Sequence, residues 1–293
     1  MPVEMRNAGF RLFVLAALCC PLVVSAASAA PVAPAPRGTI AFTIGADIWT
    51  ISADGTQRTP LTRKGLGREP SWSADGKRLI FAGRNGEILV MRADGSGIRS
   101  IPLPTDRRSL AGARQPVWFR DGRIAFVGQA ASLPPRPDGI YVMTGNDTGL
   151  RWLVWGFSPA WSPDGTRIAF TQPVGHYGDS AVTILNLEDG STTQVAAGRG
   201  PAWSPDGQRL AFSDSKRLTV ANVDGSDPKV IAGCGGDPTW SPDGAWIAYI
   251  ACSGELHTQL NVVSSSGGTP IRLSRTAYHS GSPDWRPARP SSS

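Results

Sequence analysis

The stretch PAWSPDGTRIAF at residues 159–170 decides the fold, because the chain repeats it. Further copies begin at Pro70, Pro116, Pro201 and Pro238, and a shortened copy, PDWRPARP, begins at Pro283. The tryptophans of the six copies are 46, 43, 42, 37 and 45 residues apart: Trp72, Trp118, Trp161, Trp203, Trp240 and Trp285. A period near 40 residues is typical of helical solenoids and of propeller blades.

The content of each unit favours the propeller. A short β-rich run follows each Asp-Gly pair: RLIFA, RIAFV, RIAFT, RLAFS and WIAYI. A second run comes next, as in EILVM or AVTIL, and several units then show another Asp-Gly turn before a last short run. Short apolar runs separated by Gly, Asp and Asn indicate strands in a meander, and no unit has room for two helices. The sequence therefore predicts an all-β, six-bladed β-propeller with four strands per blade.

Each residue of the quoted stretch has a structural interpretation. The proline begins the first strand of a blade, where a missing N–H group costs no ladder bond. The tryptophan offers a large apolar area to bury between neighbouring blades. Ser-Pro-Asp-Gly suits the turn into the second strand, since Gly accepts a positive φ and Asp bonds nearby backbone. We interpret the repeated aspartates as turn residues and not as a catalytic or metal-binding set.

The incomplete sixth unit predicts how the ring closes. Trp285 has only a few residues after it, whereas GTIAFT (38–43), DIWTIS (47–52) and QRTPLT (57–62) form a matching set without a leading tryptophan. We expect the last blade to combine one C-terminal strand with three N-terminal strands, which leaves no open sheet edge.

The first residues of the chain have the pattern of a secretory signal. Arg6 and Arg11 precede the apolar run FVLAALCCPLVV (13–24), and small residues follow it. We expect cleavage after Ala29, so that the mature protein is periplasmic or secreted. A retained membrane anchor is the alternative, but the run is shorter than the roughly 20 residues of a span. The predicted division is a signal peptide at 1–29, a Pro/Ala-rich linker at 30–37, the propeller at 38–287 and a disordered tail at 288–293.

Lipidation at Cys19 or Cys20 is a further alternative for this segment. It is disfavoured because Leu18 occupies a position that calls for a small residue.

Charge argues against a nucleic-acid partner. Removal of residues 1–29 takes away two of the 29 basic residues and one of the 23 acidic residues, which leaves a net charge of +5 spread along the chain. A mildly basic surface without a Lys/Arg block does not indicate nucleic-acid binding. We expect a monomer without stable membrane insertion of the mature chain.

The series PxWSPDGxxIAF, followed by IYV-type strands and an Asp-Gly turn, resembles the repeat of the TolB propeller family. The resemblance covers residues 38–287 and not the α/β domain that TolB carries before its propeller. Periplasmic TolB works with a peptidoglycan-associated lipoprotein through its propeller, so the resemblance implies a protein partner in the cell envelope. Oligopeptidases carry similar propellers, but their hydrolase domain has no counterpart in this sequence.

No motif of a known reaction or cofactor occurs in the sequence. His176, His257 and His279 are scattered, and HExxH, Gly-x-Ser-x-Gly and dinucleotide fingerprints are missing. We therefore expect no cofactor and no metal, and favour a non-catalytic module that binds a protein or peptide. The alternatives are a hydrolase or lyase with a site at the channel mouth, and a module that binds a cell-wall glycan.

The candidate binding surface is the channel mouth, where the loops before the first strands and those between the second and third strands meet. Arginines precede three of the repeat regions and could hold a carboxylate or phosphate. Long insertions at 128–139 and 172–179 should rise over the same mouth, and such loops often carry binding sites. The candidate residues are Arg68, Glu69, Arg114, Gln115, Ser158, Arg199, Asp237, Ser282, Arg136, His176 and Tyr177.

The two cysteines outside the signal predict a disulfide bond. Directly opposed residues of a hairpin have numbers with a constant sum. A turn centred between Pro242 and Asp243 gives 485, one centred on Asp243 gives 486, and Cys234 with Cys252 gives 486. The two thiols should therefore meet at the open end of the hairpin, in a compartment where disulfides persist. Two unpaired, buried cysteines are the alternative.

Overall fold

The computed structural model describes residues 34–103, 110–130, 138–144, 149–175, 178–214, 217–252, 258–274 and 280–288. These residues form 24 strands and no helix. Among them there is accordingly no helix long and apolar enough to cross a membrane.

The strands form six antiparallel sheets of four. The N-terminal strands are β1 (Thr39–Ile44), β2 (Asp47–Ser52) and β3 (Thr59–Pro60). Blade 1 consists of β4 (Gly67–Trp72), β5 (Arg78–Gly83), β6 (Ile88–Arg92) and β7 (Arg99–Ile101). Blade 2 consists of β8 (Leu110–Trp118), β9 (Arg123–Ala130), β10 (Gly139–Thr144) and β11 (Arg151–Val154).

Blade 3 consists of β12 (Phe157–Trp161), β13 (Arg167–Pro173), β14 (Ser180–Asn186) and β15 (Thr192–Ala197). Blade 4 consists of β16 (Arg199–Trp203), β17 (Arg209–Asp214), β18 (Arg217–Asn222) and β19 (Lys229–Ala232). Blade 5 consists of β20 (Gly235–Trp240), β21 (Trp246–Cys252), β22 (Thr258–Ser264) and β23 (Ile271–Arg272). The last strand is β24 (Ser280–Trp285).

The first strand of each blade packs against the first strand of the next, and β24 packs against β4. The predicted six-bladed propeller is thereby confirmed. The sixth sheet has the order β24-β1-β2-β3 and is called the closing blade here. It combines one C-terminal with three N-terminal strands, as the repeat arithmetic predicts.

Residues 34–37, which the sequence assigns to a linker, contact the propeller. The indole N–H of Trp246 donates to the carbonyl of Pro34 at 2.7 Å, and that of Trp285 donates to the carbonyl of Arg37 at 3.0 Å. Pro36 is buried. The chain just before β1 is therefore attached to blade 5 and to β24.

The core lies between the blades. In one cluster, Ile184 of blade 3 packs with Trp203, Leu210 and Phe212 of blade 4. The aromatic residue that ends the repeat is almost completely buried in every second strand: Phe42, Phe81, Phe126, Phe170, Phe212 and Tyr249. Burial of this apolar area between blades is the main force that holds the ring together.

The Asp-Gly turns are structural, as predicted. In blade 3 the hydroxyl of Ser162 donates to Asp164 at 2.6 Å, and the backbone N–H of Thr166 donates to the same carboxylate at 3.0 Å. These bonds, with the nearby charge of Arg167, lower the pKa of Asp164 to about 2. Gly165 adopts φ = +74°, a conformation that glycine accepts without strain.

The tryptophans join neighbouring blades, which confirms their predicted position. The indole N–H groups of Trp203 and Trp240 each donate, at 3.1 Å, to a backbone carbonyl of the preceding blade. An arginine of the preceding blade also stacks on the ring, for example Arg209 on Trp240 at 4.9 Å. The same stack recurs for Arg78 on Trp118, Arg123 on Trp161, Arg167 on Trp203 and Arg286 on Trp72. This role of the arginine was not predicted from the sequence.

The disulfide bond between Cys234 and Cys252 is present, with 5.5 Å between the Cα atoms. Its predicted register requires a correction. Near the turn the paired residues sum to 487, as in Trp240 with Ile247, so both predicted turn centres are wrong. A β-bulge between Gly236 and Thr239 lowers the sum of the paired residue numbers by one, so that it is 486 at the open end of the hairpin.

Candidate binding site at the channel mouth

The first strands of all six blades enclose a central cavity of about 630 Å³. Its wall consists of the repeated Pro-x-Trp segments. At one end lie the residues that precede the repeat prolines, called the mouth residues here: Glu69, Gln115, Ser158, Gly200, Asp237 and Ser282. The opposite end is formed by the turns between first and second strands. Among the residues that the structure describes, the mouth residues thus line the cavity at this opening.

All six mouth residues share an unusual backbone conformation. Their φ angles lie between +46° and +61°, and five of the six are not glycine. A left-handed conformation costs a non-glycine residue roughly 1–2 kcal/mol. In each of the first strands, the pairing with the second strand shifts register around this residue. For five of the six, the N–H group of the mouth residue donates to a side chain of the preceding blade.

In two blades, the N–H group of the mouth residue donates to the hydroxyl group of a threonine in the preceding blade. The N–H of Glu69 donates to the hydroxyl of Thr43 at 3.1 Å. That of Gly200 donates to the hydroxyl of Thr171 at 2.8 Å. Both threonines lie in second strands and are nearly buried.

In three further blades, the N–H group of the mouth residue donates to the side chain of the mouth residue in the preceding blade. The N–H of Gln115 donates to the Glu69 carboxylate at 2.7 Å, and the N–H of Ser158 donates to the Gln115 side-chain oxygen at 2.8 Å. The N–H of Ser282 donates to the carboxylate of Asp237. Glu69, Gln115 and Asp237 therefore hold neighbouring blades together as well as facing the channel.

The two acidic mouth residues have raised pKa values. Poor hydration raises the pKa of Glu69, although the N–H of Gln115 and the charges of Arg114 and Arg68 oppose this. Poor hydration likewise raises the pKa of Asp237 against the effect of Arg199. Asp237 is exposed to water, but this water fills a channel that protein surrounds, so its carboxylate is less well hydrated than one on an outer surface.

A third carboxylate lies deeper in the cavity. Asp284 follows the repeat proline of the closing blade and accepts the backbone N–H of Trp72 at 2.6 Å. The hydroxyl of Thr239 donates to its other oxygen at 3.4 Å. Burial raises the pKa of Asp284 to about 6 despite these donors. The residue connects three blades, and the sequence reading did not identify it because the equivalent positions hold Ser, Val, Ala or Thr.

The predicted arginines do not line the central cavity. Arg68 and Arg114 are exposed and line a second cavity beside the mouth. Arg199 is also exposed and lies close enough to Asp237 to lower its pKa. The structure thus brings Arg68 and Arg114 together and places Arg199 on another part of the rim. Arg136, His176 and Tyr177 lie outside the described residues.

No group of His, Cys, Asp and Glu side chains suited to a metal ion occurs among the residues that the structure describes. Within the same residues, the aspartates of the repeat are engaged in their turns. The chemical groups at the mouth are guanidinium groups, an amide, hydroxyls and two carboxylates, a set suited to charge-assisted hydrogen bonds.

A ring of six four-stranded blades around a central cavity defines the class of the protein as a six-bladed β-propeller. The family model described as the PD40 TolB beta propeller domain matches residues 121–290. The chain belongs to this TolB propeller family.

A TolB homologue of Chlorobium luteolum is 31% identical over 157 residues, which cover 50% of this chain and 33% of the homologue. The match thus spans about one third of the relative's length.

Two solved structures share the fold. The TolB crystal structure from Acinetobacter baumannii has a TM-score of 0.72 at 18% identity, covering 87% of this chain and 68% of that chain. A putative TolB from Agrobacterium tumefaciens has a TM-score of 0.65 at 17% identity, covering 81% of this chain and 88% of that chain. At these identities the likeness concerns the fold.

Proposed function

We propose that this chain is an exported propeller of the cell envelope that binds a protein or peptide partner at its channel mouth without catalysing a reaction. Membership in the TolB propeller family supports an envelope role. The observation that carries the proposal is the mouth itself, where polar groups from all six blades surround the opening of a cavity of about 630 Å³. Rigid blades hold these groups in place, so a partner meets a preorganised surface.

The charge at the rim indicates what kind of partner fits. Arg68, Arg114 and Arg199 are exposed, and no carboxylate of the described residues lies within 4 Å of their guanidinium groups. A guanidinium group binds carboxylates through two parallel hydrogen bonds. The partner surface is therefore expected to be acidic, and its binding is expected to weaken with salt.

The test removes the three rim arginines together. The triple variant Arg68→Ala, Arg114→Ala, Arg199→Ala is compared with wild type in affinity capture from cross-linked native envelopes. We expect wild type to retain a specific partner that the variant loses, since each charge-assisted bond contributes roughly 1.5–3 kcal/mol. Folding is expected to change little because the three side chains are exposed.

A control with the same loss of charge uses the opposite end of the propeller. Arg92, Arg99 and Arg151 are exposed and lie where third strands turn into fourth strands. The triple alanine variant at these positions should retain the partner. Equal retention by all three proteins would contradict a role of the rim arginines. Turnover of generic esters, lactones or glycans by the purified protein, abolished by changes at the mouth, would favour the enzyme alternative.

Export is part of the proposal and has its own check. The apolar run and the Ala27-Ser28-Ala29 segment support cleavage after Ala29. The intact mass of the protein recovered from the native envelope should correspond to a chain that begins at Ala30. A mass that retains residues 1–29 would support the anchor instead.

A further inference from the structure

A second cavity of about 460 Å³ lies beside the mouth, between the closing blade, blade 1 and blade 2. Only four of its lining side chains are longer than alanine: Arg68, Arg84, Arg114 and Gln129. The rest of the wall consists of glycine and alanine. We call this space the arginine cavity.

Close backbone packing explains the small residues of the wall. Within blade 1, a Cβ atom on Gly67 would lie 2.5 Å from the carbonyl oxygen of Ala82, and between blades 1 and 2, one on Gly86 would lie 2.8 Å from the Cα atom of Gly112. Backbone segments therefore approach each other directly at both places. Glycine and alanine at these positions put no long side chain into the arginine cavity.

The three guanidinium groups have no hydrogen bond or ion pair with any residue that the structure describes. Arg68, Arg84 and Arg114 are all exposed. Three like charges around one small-residue pocket repel one another unless an anion lies between them. The pocket therefore has the charge and the donors of an anion site.

Two carboxylates near this site form no ion pair with its arginines and instead accept backbone N–H groups. Asp47 accepts the N–H groups of Gly65 and Leu66. Glu87 accepts the N–H of Asn85 at 2.9 Å.

Glu69 accepts the N–H of Gln115 and faces the central cavity. Its charge attracts Arg68 and Arg114 without forming an ion pair with either.

We propose that the arginine cavity binds carboxylate groups of an acidic peptide segment, with Arg68, Arg84 and Arg114 as the anchors. This inference rests on the proposed function and names the part of the partner that binds here. It also adds Arg84, which lies in the loop between β5 and β6 and was not among the residues predicted from sequence.

The remaining wall favours a peptide over a sugar or a sugar phosphate. A sugar presents many hydroxyl groups, and only Gln129 offers a neutral polar side chain to bind them. The methylene groups of Glu and Asp side chains, in contrast, pack well against glycine and alanine. A single phosphate ion would fill only a small part of about 460 Å³.

The experiment measures binding of a hexaglutamate peptide to the purified disulfide-bonded protein by calorimetry at low salt. Hexaglutamine and inorganic phosphate are the comparison ligands. The variant Arg84→Ala should weaken hexaglutamate binding about tenfold, because one charge-assisted contact is lost. Arg84→Lys keeps the charge but not the two-pronged donor and should give an intermediate affinity. Arg92→Ala is the control for loss of charge at the opposite end.

Tighter binding of hexaglutamate than of either comparison ligand, together with a loss in Arg84→Ala, supports the proposal. Absence of hexaglutamate binding, or binding that Arg84→Ala leaves unchanged, overturns it. Phosphate that binds as tightly as the peptide, with the same loss in Arg84→Ala, overturns the peptide assignment and leaves a general anion site. If hexaglutamate does not bind but the rim triple variant still loses its envelope partner, the proposed function stands. Only the assignment of the arginine cavity to an acidic peptide is then rejected.

Discussion

Single residues of the repeat act across blade boundaries. The arginine that follows the Asp-Gly turn stacks on the tryptophan of the next blade in four places, at 4.7–4.9 Å from the ring centre. Arg286, which directly follows Trp285, makes the same stack on Trp72 at 4.9 Å. Trp246 occupies the arginine position of blade 5 and instead bonds to Pro34. The repeat therefore specifies the contact between blades as well as the strands within one blade.

Replacement of Arg209 tests this stack. Arg209→Met keeps the aliphatic packing against Trp240 but removes the cation, and it should lower the free energy of unfolding by about 1 kcal/mol. Arg99→Met, at an exposed position without a described ring contact, should change it by less than about 0.5 kcal/mol. Urea unfolding of the two variants provides the comparison, and equal stabilities would contradict the role of the stack.

Asp284 predicts a pH dependence of stability. Its pKa of about 6 in the folded protein is above the unfolded value of 3.8. The folded state therefore binds the proton more tightly, and the stabilisation is fully present below about pH 4 and lost as the pH rises through 6. Lowering the pH from 7.5 to 5 should raise the free energy of unfolding by about 1 kcal/mol, after allowance for water in the channel.

The variant Asp284→Asn isolates this contribution. Its amide oxygen can still accept the N–H of Trp72, but the side chain does not titrate. Between pH 5 and 7.5, the unfolding free energy of this variant should change by about 1 kcal/mol less than that of wild type. Identical shifts in both proteins would show that Asp284 is not the titrating group.

At the level of elements, the hairpin of β20 and β21 shows how the mouth is fixed. Near the turn the paired residue numbers sum to 487, and the bulge at Asp237 lowers this sum to 486. The disulfide joins the two strands in this second register. The bond thus ties the segment before β20 to the end of β21. Because Asp237 lies in β20, shortly after Cys234, the disulfide stiffens one part of the mouth.

Removal of the disulfide should destabilise the protein. For a separation of 18 residues, the double variant Cys234→Ser, Cys252→Ser should lose about 3 kcal/mol of unfolding free energy on an entropic estimate. Denaturant unfolding measures the loss, and wild type treated with reductant is the matched control. Mass spectrometry of the non-reduced mature protein should show the two cysteine peptides linked. Freely alkylated thiols in protein from its native compartment would contradict the bond.

The strands, the positions of the turns and the closing blade could be predicted because each depends on short motifs that recur in the sequence, although the register of the β20–β21 turn could not. The backbone conformation of the mouth residues could not be predicted. A residue before proline usually adopts an extended backbone, so nothing in Arg68-Glu69-Pro70 indicates that Glu69 has a positive φ. The resulting bulge directs Glu69 into the channel and Arg68 toward the arginine cavity. A one-residue change of register moves a side chain to the other face of a strand.

At the scale of the whole molecule, six rigid blades present one polar opening. The closing blade joins both ends of the described propeller, and hydrogen bonds between successive mouth residues continue from blade to blade around part of the rim. If the proposal is correct, we expect such a surface to bind its partner without rearrangement of the blades. The central claim is that the partner binds at this end of the channel and not at the other.

Photo-cross-linking in living cells of the native host tests this claim most directly. Benzoylphenylalanine is placed at Asn85 and Trp155, which are exposed at the mouth end, and at Lys77 and Gln208, which are exposed at the opposite end. The account predicts a protein adduct from the two mouth positions that weakens when Arg68, Arg114 and Arg199 are replaced by alanine, and no adduct from the other two. Adducts from Lys77 and Gln208 alone, or of equal strength at all four positions, would contradict it.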